Sequence, residues 1–383
     1  MIGFDRTDEQ ELLLESLREV VKECGSEAYI AECEKNKEYP EQLHEGLHEA
    51  GFTMLGVPEE VGGTPCDLVT FMMFHEEFAR ICSGAYAIEF AAIAMTDMVK
   101  FGSKSQLEES AEAIKQMKSP FCLGFSEPEA GSDSAAITTT YKREGGKIIV
   151  SGNKTFITRA DRANNMLCMA KNPDATPDKA FTTLWVPMDS PGITYTPIPK
   201  FGWNMLKSSD VYLDNVEIPE ENIVGAEGMG FINVMKNFEI ERIVMASTAL
   251  GEAEFAFEAA LAYAKQRVQF GKPIGAFQLI QERLVNMYTK IENMKHLVYK
   301  TAWLEDQGLP INMQASVCKR YCADASFEVI NDAIQIFGGV GYSTDMPLSR
   351  ILANNRVCGI GGGTQEIMVH IAGRALQKEY KIV

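Results

Sequence analysis

A chain of 383 residues with 46% hydrophobic and 23% charged side chains has the composition of an ordinary globular protein, long enough for two or three domains. Its 36 Lys and Arg face 53 Asp and Glu, a net charge of -17. That balance argues against nucleic acid as a partner, because phosphate binding needs Lys and Arg to displace counterions. Nine cysteines occur without a CxxC pair, which predicts free thiols in a reducing cytoplasm.

The N-terminus enters a helix directly, with Thr7 and Gln10 placed as a capping box. It lacks the basic, apolar and cleavage regions of an export signal. The most apolar window, Ala85 to Met95, carries Glu89 and is too short for a bilayer, so no membrane association is expected. Residues 1–118 read as a helical domain. Leu12, Leu13, Val20 and Val21 start one amphipathic helix, and Leu43, Leu47 and Ala50 mark a second. Two more helices cover about 68–82 and 85–100.

From 119 to 229 the helical period gives way to short β-type runs: FCLGFS, GKIIVSGNKTFIT, NMLCMA, FTTLWVPM, GITYTPI and SSDVYLDNVEI. Turn clusters such as EAGSD, REGG and DSPG separate them, the pattern of a β-barrel or sandwich. Residues 230–383 return to long apolar-striped helices over about 231–267, 278–306 and 313–337, with a shorter one near 365–379. Short links between them predict an antiparallel bundle.

Within the first of these helices, Val234, Phe238, Met245 and Ala249 form one stripe, and Glu241 falls on it. A carboxylate in an apolar stripe is either satisfied by a neighbouring helix or tuned to hold a proton near neutrality. Glu239 points elsewhere and is expected to pair with Arg242 at the surface. Glu89 poses the same question in an apolar helix, as a paired group or as a polar spot on a cavity wall.

Two motifs promise chemistry and are set aside. HEGLH (44–48) matches the HExxH zinc pattern, but its neighbours form an ordinary core stripe that leaves both histidines on the flank, and no third ligand is evident. No metal is therefore expected. GIGGGT (359–364) does not follow a strand, and Thr364 stands where a dinucleotide fingerprint needs glycine. GGVG (338–341) closes a helix.

In order along the chain stand FSEPEAGSD (125–133), GNKTFIT (152–158), VYLDNVEIP (211–219), RVQFGKPIGAFQ (267–278), QIFGGVG (335–341) and GGTQEI (362–367). This ordered set, on a helical–β–helical plan, resembles the acyl-CoA dehydrogenase family of flavoproteins over essentially the whole length. The resemblance implies FAD between the β-domain and the C-terminal bundle. Phe125, Ser126, Phe156 and Thr158 match positions lining the isoalloxazine ring. Arg267, Gln269, Phe270, Gln278, Gln335 and Gly339 match those holding pyrophosphate and adenine, partly across a subunit boundary, which implies a homodimer or homotetramer. Thr364 and Glu366 match flavin-nucleotide contacts, and Ser132 and Arg242 match positions near the pantetheine and acyl site.

The chemistry implied removes the proton α to an acyl-CoA thioester while a hydride leaves the β-carbon for the flavin, with an electron-transferring flavoprotein as electron partner. Most of the family carry the base in an EGT string; here Gly362-Gly363-Thr364 replaces it, although Gly362 still has a backbone N–H to offer the thioester carbonyl. A minority place the base in an ER dipeptide on the helix that here holds Glu241-Arg242, so Glu241 is the expected base. Glu129 stands where the family usually has glycine. The glycine pair together with Glu89 is most similar to crotonobetainyl-CoA reductase and its enteric relatives, which implies a short or polar acyl group and reduction as a possible direction. Loss of the EGT glutamate also fits a flavin-bound binding or protective protein without catalysis, and an acyl-CoA oxidase passing electrons to oxygen is a third possibility.

Overall fold

The computed structural model describes residues 6–84, 88 and 91–379. The first third is helical: α1 (Asp8–Cys24), α2 (Glu27–Asn36), α3 (Glu41–Glu49), α4 (Leu68–Ile81), α5 (Ala91–Phe101) and α6 (Lys104–Lys115). The capping box at α1 forms as the sequence reads, Thr7 accepting from the Gln10 N–H while the Gln10 side chain accepts from the Thr7 N–H.

Strands β1 (Ser119–Gly124), β2 (Thr140–Glu144), β3 (Lys147–Thr158), β4 (Ala163–Lys171), β5 (Phe181–Pro187), β6 (Ile193–Pro197), β7 (Ser208–Pro219) and β8 (Ile223–Val224) follow. They join in an eight-stranded sheet of order β6-β7-β3-β2-β4-β5-β8, with β1 added parallel to β4. Every apolar run quoted above becomes a strand. The sequence reading passed over β2, because only Tyr141 points inward while Lys142, Arg143 and Glu144 are exposed. A two-residue turn, Gly145-Gly146, with φ of 60° and 79°, joins it to β3; glycine enters both conformations without strain.

The last third holds α7 (Gly230–Gln266), a small hairpin of β9 (Val268–Gln269) and β10 (Lys272–Pro273), then α8 (Gln278–Asp306), α9 (Asn312–Phe337), α10 (Pro347–Asn355) and α11 (Gln365–Glu379). The architecture is helical, β, then helical bundle. One apolar core runs through both helical parts: Phe71, Met72, Phe74 and Phe78 of α4 meet Ile243, Ala246, Leu250 and Ala253 of α7. At their closest approach a Cβ on Gly251 would lie 2.1 Å from the Glu76 carbonyl oxygen, so only glycine fits. The sheet keeps its own core of Tyr141, Ile148, Val150, Met166, Leu184 and Val216.

Candidate active site

At the open end of the sheet, one ion pair organises the FSEPEAGSD loop. Lys154 is fully buried, 2.9 Å from Glu127, and also donates to the Met169 carbonyl at 2.7 Å. Glu127 accepts from the Thr138 N–H and hydroxyl at 2.6 and 2.7 Å and from the Thr139 N–H at 3.0 Å. Burial alone would raise this carboxyl, but Lys154 and these donors more than offset it and hold it at about 2. The Glu127 and Ala130 backbones bond reciprocally. Glu129 projects into solvent, so its departure from glycine leaves the loop intact.

The Thr155 N–H donates to the Ser126 carbonyl at 2.9 Å, which brings Ser126 and Phe125 beside the end of β3. There Phe156 is held at φ 55° with its ring 63% exposed. A left-handed backbone and an uncovered ring at one non-glycine residue mark a functional position. Thr158 shares a hydroxyl hydrogen bond with Ser208 at 3.1 Å, and Ser132 lies exposed in the same loop.

Phe125 carries this surface to α7, meeting Phe238 edge to face at 5.3 Å between ring centres. One turn on, the Arg242 guanidinium lies 5.9 Å from the Phe238 ring. Arg242 is buried, and its Nε donates to the Gly362 carbonyl at 3.1 Å. From α9, the buried Lys319 ammonium donates to the next carbonyl, that of Gly363, at 2.6 Å. Burial pushes Lys319 down to about 8.

Glu241 stands beside this glycine run. A Cβ at Gly362, whose φ is 62°, would meet Met245 Sδ at 3.0 Å and Glu241 Oε1 at 3.7 Å. The expected stripe is present, with Val234, Phe238 and Ala249 buried, but Glu241 and Met245 are half-buried at its edge. Asp97 of α5 adds a second carboxyl, 2% exposed, with no hydrogen-bond partner for either oxygen among the described residues. Burial and the neighbouring Glu241 charge raise it to about 8. Thr364 precedes α11, accepting from the Ile367 N–H at 3.3 Å, and Glu366 is exposed in the first turn of that helix.

The remaining expected cofactor residues lie elsewhere. Arg267, Gln269, Phe270 and Gln278 are exposed around the β9–β10 hairpin, Phe270 to 94%. Tyr263 stacks on Phe337 at 4.3 Å, which brings the exposed Gln335 and Gly339 to the same end of the bundle. Glu241 and Arg267 are roughly 26 residues apart, about 39 Å along a helix rising about 1.5 Å per residue. The chain thus presents the expected cofactor residues as two half-sites, one beside Glu241 and one at the C-terminal end of α7.

Two expectations need correction. Glu239 does not pair with Arg242 at the surface: it is buried, bonded to Lys236 at 3.2 Å and to Asn312 Nδ2 at 3.0 Å. Other helices surround α7, so a carboxylate on that side needs an interhelical partner. His44 is buried rather than on the flank, 3.2 Å from the Tyr39 hydroxyl, and burial lowers it to about 4. His48 bonds Thr53 at 2.9 Å, and no group of three metal-ligating side chains exists among the described residues. Glu89 lies outside the described residues. Among those described, no helix is long and apolar enough to cross a membrane.

An uncovered aromatic ring beside the Ser126 and Thr158 positions, with a carboxylate and a glycine turn across the Phe125–Phe238 contact, could hold a planar ring system with polar edges such as a flavin. Phe125, Ser126, Phe156 and Thr158 could hold that ring, and Thr364 and Glu366 the nucleotide portion of the cofactor. The fold and this site define an FAD-dependent oxidoreductase of helical–β–helical build. Three family models match in order: the N-terminal domain of acyl-CoA dehydrogenase over residues 7–116, its middle domain over 122–216 and its C-terminal domain over 228–377. The chain belongs to the acyl-CoA dehydrogenase family and is an oxidoreductase enzyme. It is 46% identical to the probable acyl-CoA dehydrogenase YdiO of Escherichia coli K12, over 99% of this chain and 100% of that one. Butyryl-CoA dehydrogenase of Megasphaera elsdenii is 30% identical, with a TM-score of 0.92 over 98% of this chain and 100% of the other. A chain from structural work on the electron transferring flavoprotein of Acidaminococcus fermentans is 31% identical, with a TM-score of 0.93 over 99% and 100% of the two chains.

Proposed function

We propose that this protein acts at the α,β carbon–carbon bond of an acyl-CoA thioester, with Glu241 exchanging the α-proton. One observation carries the reading. The Glu241 carboxylate stands 3.7 Å from where a side chain at Gly362 would begin. A base carried on residue 362 would enter the same space, so losing the glutamate of the EGT string does not remove a carboxylate from this point. FAD, when bound, supplies hydride chemistry at the β-carbon. Glu241 holds and moves the proton at the α-carbon, and Ser132, Arg242 and Gly362 flank the thioester.

The separation of the two half-sites supports a homodimer or a tetramer of dimers, in which Arg267, Gln269, Phe270, Gln278, Gln335 and Gly339 of one subunit complete the FAD site of the other. The opening of β1 at Ser119 and of α7 at Gly230 supports a division into 1–118, 119–229 and 230–383. The likeness to a chain studied with an electron transferring flavoprotein supports such a protein as electron partner. A cytoplasmic location, and the finer likeness to crotonobetainyl-CoA reductase with its short or polar acyl group, belong to the same proposal; the latter rests on the Gly362-Gly363 pair and Glu89. A panel of acyl-CoA and enoyl-CoA thioesters, scored by flavin absorbance without oxygen, tests the reading. Failure of every thioester to change the flavin spectrum overturns it.

A further inference from the structure

Lys319 has no role in the reading above, yet the structure gives it an unusual one. It is 1% exposed, and its ammonium donates to the Gly363 carbonyl, one residue beyond the carbonyl taken by Arg242. Two buried cations thereby grip two successive carbonyls of a turn whose glycines have φ of 62° and 98°. No cis peptide occurs among the described residues, and in a trans peptide the N–H points opposite to its C=O. Gripping the Gly362 and Gly363 carbonyls from the bundle side therefore turns the Gly363 and Thr364 N–H groups the other way. Neither donates to any group among the described residues. Consecutive outward N–H groups of this kind form a nest for negative charge.

We infer that Lys319 is a positioning residue: with Arg242 it locks the Gly362–Thr364 turn so that its outward N–H groups meet the oxygen of a bound thioester as negative charge develops there. The inference rests on the acyl-CoA reading. Burial disfavours the charged form of Lys319, with Arg242 adding to that and Cys358, Glu241 and Asp324 opposing it. A buried cation without a carboxylate in direct contact among the described residues is costly to hold, and its hydrogen bond to the Gly363 carbonyl is what offsets part of that cost.

The test compares wild-type holoenzyme with Lys319→Met, which removes the donor, and Lys319→Gln, which keeps a neutral one. FAD content is measured first. Flavin bleaching by a reactive short acyl-CoA, or reoxidation of the reduced enzyme by an enoyl-CoA, then gives limiting rate and KM separately. In Lys319→Met the limiting rate falls about 100-fold, the scale of a lost oxyanion donor, with KM changed less than about threefold; Lys319→Gln loses about tenfold. The pH at which bound 3-thiabutyryl-CoA gives up its α-proton, read from its long-wavelength band, moves up in Lys319→Met; a purely structural lysine would leave it in place. A wild-type limiting rate in FAD-loaded Lys319→Met overturns the inference, as does weaker FAD binding with an unchanged rate, which assigns the donors to the cofactor. If Lys319→Met does not fold, Lys319→Gln decides alone: a tenfold loss supports, an unchanged rate overturns. A wild type that responds to no thioester overturns the acyl-CoA reading, and the inference with it.

Discussion

Two groups of buried charge lie on either side of the Phe125–Phe238 contact, and they are built on opposite lines. In the sheet, Glu127 and Lys154 satisfy each other and five further hydrogen bonds, so the pair has nothing left to offer a ligand. Its product is shape: the loop that carries Phe125 and Ser126 is held in place. Between the helices, Asp97, Glu241, Arg242 and Lys319 gather without direct carboxylate–cation pairing of Asp97 or Lys319, and both Asp97 oxygens stay unbonded among the described residues. A fold tolerates such unmet polarity where something else is meant to meet it. The saturated pair fixes the frame; the unbonded Asp97 lies beside the carboxylate proposed to react.

The sharpest break in this comparison comes from the saturated side. Lys154→Met leaves Glu127 buried and uncompensated, and should cost about 3–5 kcal/mol in urea unfolding. The unsaturated side should respond with opposite sign. Asp97→Leu removes an unpartnered buried carboxyl and should stabilise the chain by roughly 1–3 kcal/mol in the same assay; a destabilisation of that size would place Asp97 in a bonded network. Gly362→Ala, at a φ of 62° and with its Cβ 3.0 Å from Met245 Sδ, should lose about 1–2 kcal/mol for the left-handed backbone. It should also slow flavin reduction as the new methyl crowds Glu241.

The remaining contrast is a pair of pH slopes of opposite sign. Glu127 is depressed to about 2 in the folded protein from an ordinary value of 4.5. Its stabilisation is complete above the ordinary value and fades as pH falls toward about 2. Asp97 is raised from 3.8 to about 8. The folded state therefore holds a proton the unfolded chain has released, and stability falls as pH climbs between those values. Unfolding followed from pH 3 to 8 should lose the acid-side slope in Glu127→Gln and the neutral-side slope in Asp97→Asn.

The order of helical, β and helical parts was legible because period and turn chemistry change together near Pro120 and Gly230. Strand β2 was not, since one inward Tyr141 makes no alternation, and α10 shows only Leu348 and Ile351 as a stripe. Glu241 stood out as a carboxylate on an apolar stripe. Lys319 and Lys154 left the same kind of trace unread. Lys319 shares its helix face with Ala315, Cys322 and Ala323, all buried, and Lys154 continues the inward alternation of Ile148 and Val150. A lysine in a buried register reads as surface by composition and as core by position, and position wins in both cases. Asp97, one turn before Phe101 on α5, gave no signal beyond its apolar neighbours.

The central claim is that Glu241 moves the α-proton. The direct measurement is anaerobic stopped-flow bleaching of the bound flavin by the best acyl-CoA of the panel, in wild type and in Glu241→Gln with matched FAD content. The account predicts rapid bleaching in the wild type and a loss of at least about 1000-fold in the variant, within the range for removing a general base. Full-speed bleaching in Glu241→Gln would contradict it and move the base to another carboxylate.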